Sequence, residues 1–325
     1  MIKRLSLLSL LLVISTTAFA QNDWQSVAPG VDYRHVIDGA MDIHVARIDL
    51  TNDQIRIVSS RQSDYGTRVS EFAKRTHAII AINGDYFDKV NKPVGLAIGP
   101  CGQWQDTKDT SREGLAAFGS ERAEIRTQSE VMDPPEPWIS SAVSGWPMLV
   151  RGCRALTSAE LPGSNAFTRS PHARTAVGVS SDGKTVYFVV ADGRRKDAPG
   201  LTLGQLASWM TDTLQVCTAI NLDGGGSSTM WVSDHIVNKP SDGSERRVGD
   251  HLAVVSADQK IACDMDRENA AAAALRVAES KAASTPTPVD VDIAAAQAAN
   301  AKATITVSTP APTATSTTST QPPPK

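Results

Sequence analysis

The chain has 325 residues, 41% hydrophobic and 21% charged, a globular composition with room for one large domain or two small ones. Its formal net charge of −3 argues against nucleic acid as a partner, because neutralising phosphates takes a basic surface. Beyond the leader described next, no apolar run approaches the roughly 18 residues that a membrane span requires.

The chain opens on Lys3 and Arg4, an apolar stretch from Leu5 to Ile14, and Ala18-Phe19-Ala20. A basic start, a short apolar core and a small-x-small site predict a cleavable signal peptide over residues 1–20. The mature chain would then begin at Gln21 and reside in the periplasm or outside the cell. Strands are predicted at Ile43–Leu50, Ala78–Asn83, Val94–Ile98, Leu115–Phe118 and Ser144–Val150. Further strands follow at Thr175–Val179, Thr185–Ala191, Thr218–Leu222, Thr229–Val232 and Leu252–Val255, all rich in β-branched and apolar residues. Two helices are predicted, Val69–Arg75 and Leu203–Val216. The second has a start signal: Thr202 and Gln205 at capping-box spacing, with Leu201 and Leu206 placed as a hydrophobic staple. The fold class is therefore α/β in composition, more closely α+β: a mixed β-sheet core with few helices.

An internal helix–strand pseudo-repeat is a further expectation. Val69-Ser-Glu-Phe-Ala73 leads to Ala81-Ile82-Asn83, and Leu203-Gly-Gln-Leu-Ala207 leads to Ala219-Ile220-Asn221; each Asn is followed two residues later by an aspartate, Asp85 and Asp223. After Cys263 the composition changes. Residues 264–325 contain no glycine, aromatic or cysteine and are dominated by Ala, Thr, Pro and Ser. The alanine-rich start predicts a helix, and the Thr/Pro-rich remainder cannot bury enough apolar surface to order itself. The working domain is thus 21–263, followed by a tail that is part helix and then disordered.

Chemistry concentrates in four segments. Asn221-Leu-Asp-Gly-Gly-Gly-Ser-Ser-Thr-Met230 places Asp223, Gly224, Gly225, Gly226, Ser227 and Ser228 just past a strand. Consecutive glycines there predict a nest of N–H groups for an anion, with Asp223 at its lip. Asn83-Gly84-Asp85-Tyr-Phe-Asp88 leaves another strand, so Asp85 and Asp88 are candidate acids, bases or metal ligands. Ser170-Pro-His-Ala-Arg-Thr175 supplies His172 for proton transfer and Arg174 for a phosphate or carboxylate. Asp192-Gly-Arg194 leaves the strand Thr185–Ala191 and is by itself good turn chemistry.

Together with Gly145-Trp-Pro-Met-Leu-Val150 and Gly200-Leu-Thr-Leu203, these segments resemble, in order, the phosphodiester glycosidase family. The resemblance covers residues 66–256. It implies hydrolysis of a sugar-1-phosphodiester, in which the sugar leaves and the phosphate stays on the other alcohol. Two positions depart from the usual pattern: Asp85 stands where many members have a second glycine, and Asp250 near where asparagine is common. On this reading Asp223 is the principal catalytic carboxylate, partnered by Asp85 or Asp88. Asn83, Gly84, Arg174, Asp192, Arg194, Asn221 and the glycine loop bind substrate. No cofactor is expected, and a divalent cation at Asp85 and Asp223 stays open. Two other readings compete: a non-catalytic module binding anionic envelope glycans, and a metal-dependent phosphodiesterase. In an exported protein Cys101, Cys153, Cys217 and Cys263 are expected to be oxidised, with pairs 101–153 and 217–263.

Overall fold

The structure, a computed structural model, describes residues 23–108, 114–127 and 135–263. The signal-peptide and tail readings fall outside these residues. Three sheets carry the fold, and every pairing among the described strands is antiparallel. The α+β class therefore holds, but the sheets are not mixed in direction. Among the described residues no helix is long and apolar enough to cross a membrane.

The large sheet has eight strands, with Arg174–Val179, Thr185–Ala191 and Thr218–Asn221 near its middle. The hairpin Val31–Asp38/Met41–Asp49 extends one side of it, and Met148–Arg151 with Arg154–Ala155 closes the other. A five-stranded sheet contains Ile80–Asn83 between Met230–Val232 and His251–Ser256, with Ile55–Ser59 at its edge. The other five-stranded sheet is built around Gly114–Phe118 and Ser141–Gly145.

Alternation explains how the sheet carrying Ile80–Asn83 is covered on both faces. Successive side chains of a strand point to opposite faces. Ile57, Ile80, Ile82, Leu252 and Val254 join the main core. Val58, Ala81, Ala253 and Val255 turn the other way, onto Val69, Phe72 and Ala73 of the helix Val69–Thr76. The second helix, Leu203–Leu214, lies on the end of the large sheet against Met148–Arg151, Arg154–Ala155 and Thr218–Asn221. Its capping box forms as predicted: Gln205 N donates to Thr202 Oγ1 (3.1 Å) and Thr202 N donates to Gln205 Oε1 (2.9 Å).

Some expectations are corrected. Ser144–Val150 is two strands, Ser141–Gly145 and Met148–Arg151, separated at the cis Trp146–Pro147 bond and placed in different sheets. Proline lacks an N–H for the ladder, so a continuous strand is excluded there. Val94–Ile98 is mostly irregular, with only Ile98–Gly99 paired. A helix, a left-handed cap (His77, Gln215) and a strand occur in succession twice, but the two strands belong to different sheets and a pseudo-repeat is not established. The disulfides are Cys101–Cys263 and Cys153–Cys217, not the expected pairs. Cys153 lies in the edge hairpin beside the strand that Cys217 precedes, where Cys153 N donates to Cys217 O (2.9 Å). The domain's end runs instead to the turn at Cys101, held on the way by Arg61 Nη1 donating to Ala262 O (2.8 Å).

Candidate active site

Three strand ends meet at one seam. Ile80–Asn83 and Thr218–Asn221 exit there, and His251–Ser256 enters beside the first, with His251 paired to Asn83. This register puts Asp250 next to Gly84. Gly84 N donates to Asp250 O (3.0 Å), and Asp223 N donates to Gly84 O (3.1 Å). Asp85 N donates to Asp250 Oδ1 (2.6 Å). A Cβ on Gly84 would stand 2.3 Å from Asp250 Oδ1, so only glycine lets the acid approach this closely. Asp85, Asp223 and Asp250 are thus gathered at the seam, at 1%, 2% and 0% exposure.

Three buried carboxylates in one place oppose each other's ionisation. Asp250 feels it: its pKa is pushed up to about 7, chiefly by burial, against the stabilising Asp85 N–H and with help from the Asp223 charge. Asp250 therefore holds a proton through the mildly acidic range. The Tyr86 hydroxyl is buried beside them, donating to Trp146 O (2.9 Å) and accepting from Asn221 Nδ2 (2.5 Å). Burial and the Asp223 charge push its pKa upward, so it stays protonated.

Asn83 and Asn221 are the frame of the site. Asn83 Oδ1 accepts from Thr175 Oγ1 (2.8 Å) and Thr229 N (3.2 Å) while its Nδ2 donates to Asp223 O (2.7 Å). Asn221 Nδ2 donates to Trp146 O (2.9 Å) and Leu222 O (2.8 Å) as well as to Tyr86. Both were expected to touch substrate; in the structure their amide groups hold Asp223 and Tyr86 in position.

The glycine loop is not the open cradle of donors that its sequence predicts. Gly224 N donates to Asp223 Oδ1 (2.8 Å) and Gly225 N to Ala173 O (2.8 Å). Ser227 N and Ser228 N turn back to Gly224 O and Gly225 O. Those N–H groups are used within the protein, so positive charge at the loop comes from side chains. Gly225 takes φ +62°, and a Cβ there would meet Arg194 Nη2 at 2.8 Å: the exposed Arg194 guanidinium lies over the loop. The Asp242–Arg246 ion pair covers Gly226 in the same way. Ser227 Oγ is buried without a hydrogen-bond partner, whereas Ser228 Oγ lies 3.2 Å from Thr175 Oγ1.

Arg174 is 3% exposed and held entirely by carbonyls: Nε donates to Leu201 O (3.0 Å), and Nη2 to Phe167 O (2.7 Å) and Ser170 O (3.1 Å). Burial lowers its pKa to about 10, so it is still a cation at neutral pH. Neither Arg174 nor Arg194 forms an ion pair with a carboxylate among the described residues. His172 stands with the arginines, its Nδ1 accepting from Arg194 Nε (3.4 Å) and its Nε2 facing Ala166 O (3.2 Å).

Two further predicted residues accept hydrogen bonds from their surroundings. Asp88 Oδ1 accepts from Val90 N and Lys92 N (both 2.9 Å), which closes its own turn. Asp192 is fixed by Arg195, by Asn238 Nδ2 (3.1 Å) and by Lys239 N (3.1 Å), and serves as a buried hub next to the loop. Tyr86, Thr175 and Asp250 were not predicted as site residues. Tyr86 and Thr175 lay inside the recognised motifs, and Asp250 stood out only as a departure from the usual asparagine.

Comparison with known proteins identifies the family of the chain. A family model described as phosphodiester glycosidase matches residues 76–255. Mouse N-acetylglucosamine-1-phosphodiester alpha-N-acetylglucosaminidase is 32% identical over 126 residues, covering 36% of this chain and 24% of the relative. The human enzyme of that name is 29% identical over 191 residues, covering 54% and 36%. The chain therefore spans about a third or less of the relatives it matches. The solved catalytic domain of the zebrafish enzyme, auto-inhibited by its pro-peptide, has the same fold at TM-score 0.53 and 20% identity, over 72% of this chain and 86% of that one. With more than half of its length matched by the family model, and with the family's motifs converging on one seam, the chain belongs to the phosphodiester glycosidase family.

Proposed function

We propose that this protein is an exported hydrolase that cleaves the sugar–phosphate bond of a sugar-1-phosphodiester on an envelope or extracellular glycan. The substrate is of the N-acetylglucosamine-1-phosphodiester class, the class named in its relatives. One observation carries the reading: three buried aspartates lie at the same seam as two arginines that have no acidic partner among the described residues. A module that only bound anions would gain nothing from buried carboxylates beside its cations. A phosphodiester of a sugar needs both, a cation for the phosphate and a carboxylate for the anomeric carbon.

In this mechanism the exposed Arg194 receives the phosphate, and the buried Arg174 adds positive charge behind it. Asp223 stabilises positive charge at the anomeric carbon as the bond from that carbon to the phosphate oxygen breaks. A phosphate monoester leaves readily, so little protonation of the leaving oxygen is required. Water completes the new hydroxyl at the anomeric carbon, and the proton it gives up passes to a carboxylate of the cluster. Asn83 and Asn221 hold the catalytic segment rigid, a positioning role. The two disulfides fit an oxidising compartment, in keeping with export.

The test is hydrolysis of an N-acetylglucosamine-1-phosphate ester by the purified protein, with and without chelator. Release of free sugar in both arms supports the proposal. Release only without chelator would favour a metal-dependent phosphodiesterase. Binding of the ester without turnover would leave an anionic-glycan module.

A further inference from the structure

A second cluster lies on the hairpin Val31–Asp38/Met41–Asp49, outside the 76–255 region that matches the family. Among the described residues, His35, Asp42 and His44 bring together one potential ligand atom each, all within 4.8 Å of one another. The sheet dictates this. His35 and His44 are cross-strand partners, and Asp42 is two residues before His44, hence on the same face. His35 Nε2 is 2.6 Å from Asp42 Oδ1, and His44 Nε2 is 3.6 Å from the same oxygen.

We propose that His35, His44 and Asp42 form a binding site for a divalent transition ion of the zinc class, held by two imidazole nitrogens and one carboxylate oxygen. Three protein ligands with a remaining position for water are a recurrent zinc arrangement. The surroundings already orient the ligands. Tyr33 Oη lies 2.7 Å from His44 Nδ1 and fixes that ring. With the proton on Nδ1 donated to Tyr33, the Nε2 lone pair faces the ion. Arg195 Nη2 approaches the other carboxylate oxygen of Asp42 at 3.4 Å and leaves Oδ1 to the cluster. Arg195 is itself paired with Asp192 and Asp197, so acids other than Asp42 offset its charge. The side chains of His35 and Asp42 are 26% and 15% exposed and that of His44 only 3%, which gives an ion one open approach. His44 stacks on His35, with ring centroids 4.1 Å apart and 10° between the planes, which brings both Nε2 atoms to the same side of Asp42 Oδ1.

The experiment uses the full chain without a polyhistidine tag, stripped by chelator and titrated with Co²⁺ and then Zn²⁺. The expected result is saturable binding of a single Co²⁺ with visible ligand-field bands that Zn²⁺ abolishes. His35→Ala, on the more exposed side of the cluster, is expected to weaken Co²⁺ at least about tenfold. Circular dichroism shows whether that variant keeps its fold, and Asp42→Asn serves as the second ligand test. Asp223→Asn is expected to leave Co²⁺ binding unchanged. The proposal is overturned if the wild type shows no saturable binding, or if both ligand variants bind as it does. It is equally overturned if Asp223→Asn is the change that removes the ion, since the metal would then belong to the acidic seam.

Discussion

The side-chain amide of Asn83 donates to the main-chain carbonyl of Asp223 at 2.7 Å, joining the ends of two strands that belong to different sheets. Residues 140 positions apart are thereby fixed to each other at the point where the buried acids gather.

Removing that clamp is expected to cost both stability and rate. Asn83→Ala deletes one donor and one doubly used acceptor, leaves Thr229 N and Asp223 O unpaired and buried, and leaves Thr175 only its longer contact to Ser228. A loss of about 2–4 kcal/mol is expected in denaturant unfolding, from two or three such bonds. Asn83→Ser, able to restore part of the network, should recover part of both. An unchanged midpoint in Asn83→Ala would refute the clamp.

Asp223→Asn is expected to lower kcat by several orders of magnitude with little change in KM. It preserves shape while removing the charge that acts in the transition state. Arg194→Gln should behave in the opposite way. The guanidinium is exposed and its one hydrogen bond among the described residues is the 3.4 Å contact to His172, so stability should hold. Losing one phosphate contact should raise KM about tenfold, roughly 1.4 kcal/mol. Arg174 is less suited to this test because its carbonyl bonds to Phe167, Ser170 and Leu201 make it part of the framework. Steady-state kinetics on the phosphodiester distinguishes these outcomes.

Asp250 should imprint a pH dependence on stability. Its pKa rises from an ordinary 3.8 to about 7 in the folded protein, through burial and the charge of Asp223, with the Asp85 N–H opposing. Between those values the folded state keeps a proton that the unfolded state has lost. The contribution is therefore complete below about pH 4 and is lost as pH rises through 7. Neighbouring His251, lowered to about 4 by burial, acts in the opposite sense: its contribution fades as pH falls. The difference between wild type and Asp250→Asn isolates the acid. Asparagine keeps the acceptor for Asp85 N–H, so the variant should gain on the order of 4 kcal/mol relative to wild type as pH rises from 4 to 8. Parallel stability curves for the two proteins would contradict it.

The Cys153–Cys217 bond spans 64 residues and ties the edge hairpin to the strand that leads to Asp223. Replacing both cysteines by serine is expected to cost about 4 kcal/mol by loop entropy. Peptide mapping of the unreduced protein should find 153 linked to 217 and 101 linked to 263; a 217–263 linkage would refute the pairing.

Much of this protein was readable from local chemistry. The capping box at Thr202–Gln205 and the β-branched runs around 43–50, 78–83 and 185–191 decide their elements through short-range sterics and periodicity, which need no knowledge of the fold. The motif around Asp223 pointed to the family for the same reason, since its residues are adjacent in the chain. Other features depended on which strands become neighbours. The Cys153–Cys217 pair follows from an antiparallel edge, and no spacing in the chain encodes it. Asp250 joins Asp85 and Asp223 only because His251 pairs with Asn83, a register set by burying Ile82 and Leu252 on one face. The glycine loop shows the limit most directly. Three glycines permit an N–H nest, but the tertiary structure brings the Asp223 carboxylate and Ala173 O to the donors of Gly224 and Gly225 and lays Arg194 over the loop, so a side chain distant in sequence supplies positive charge there.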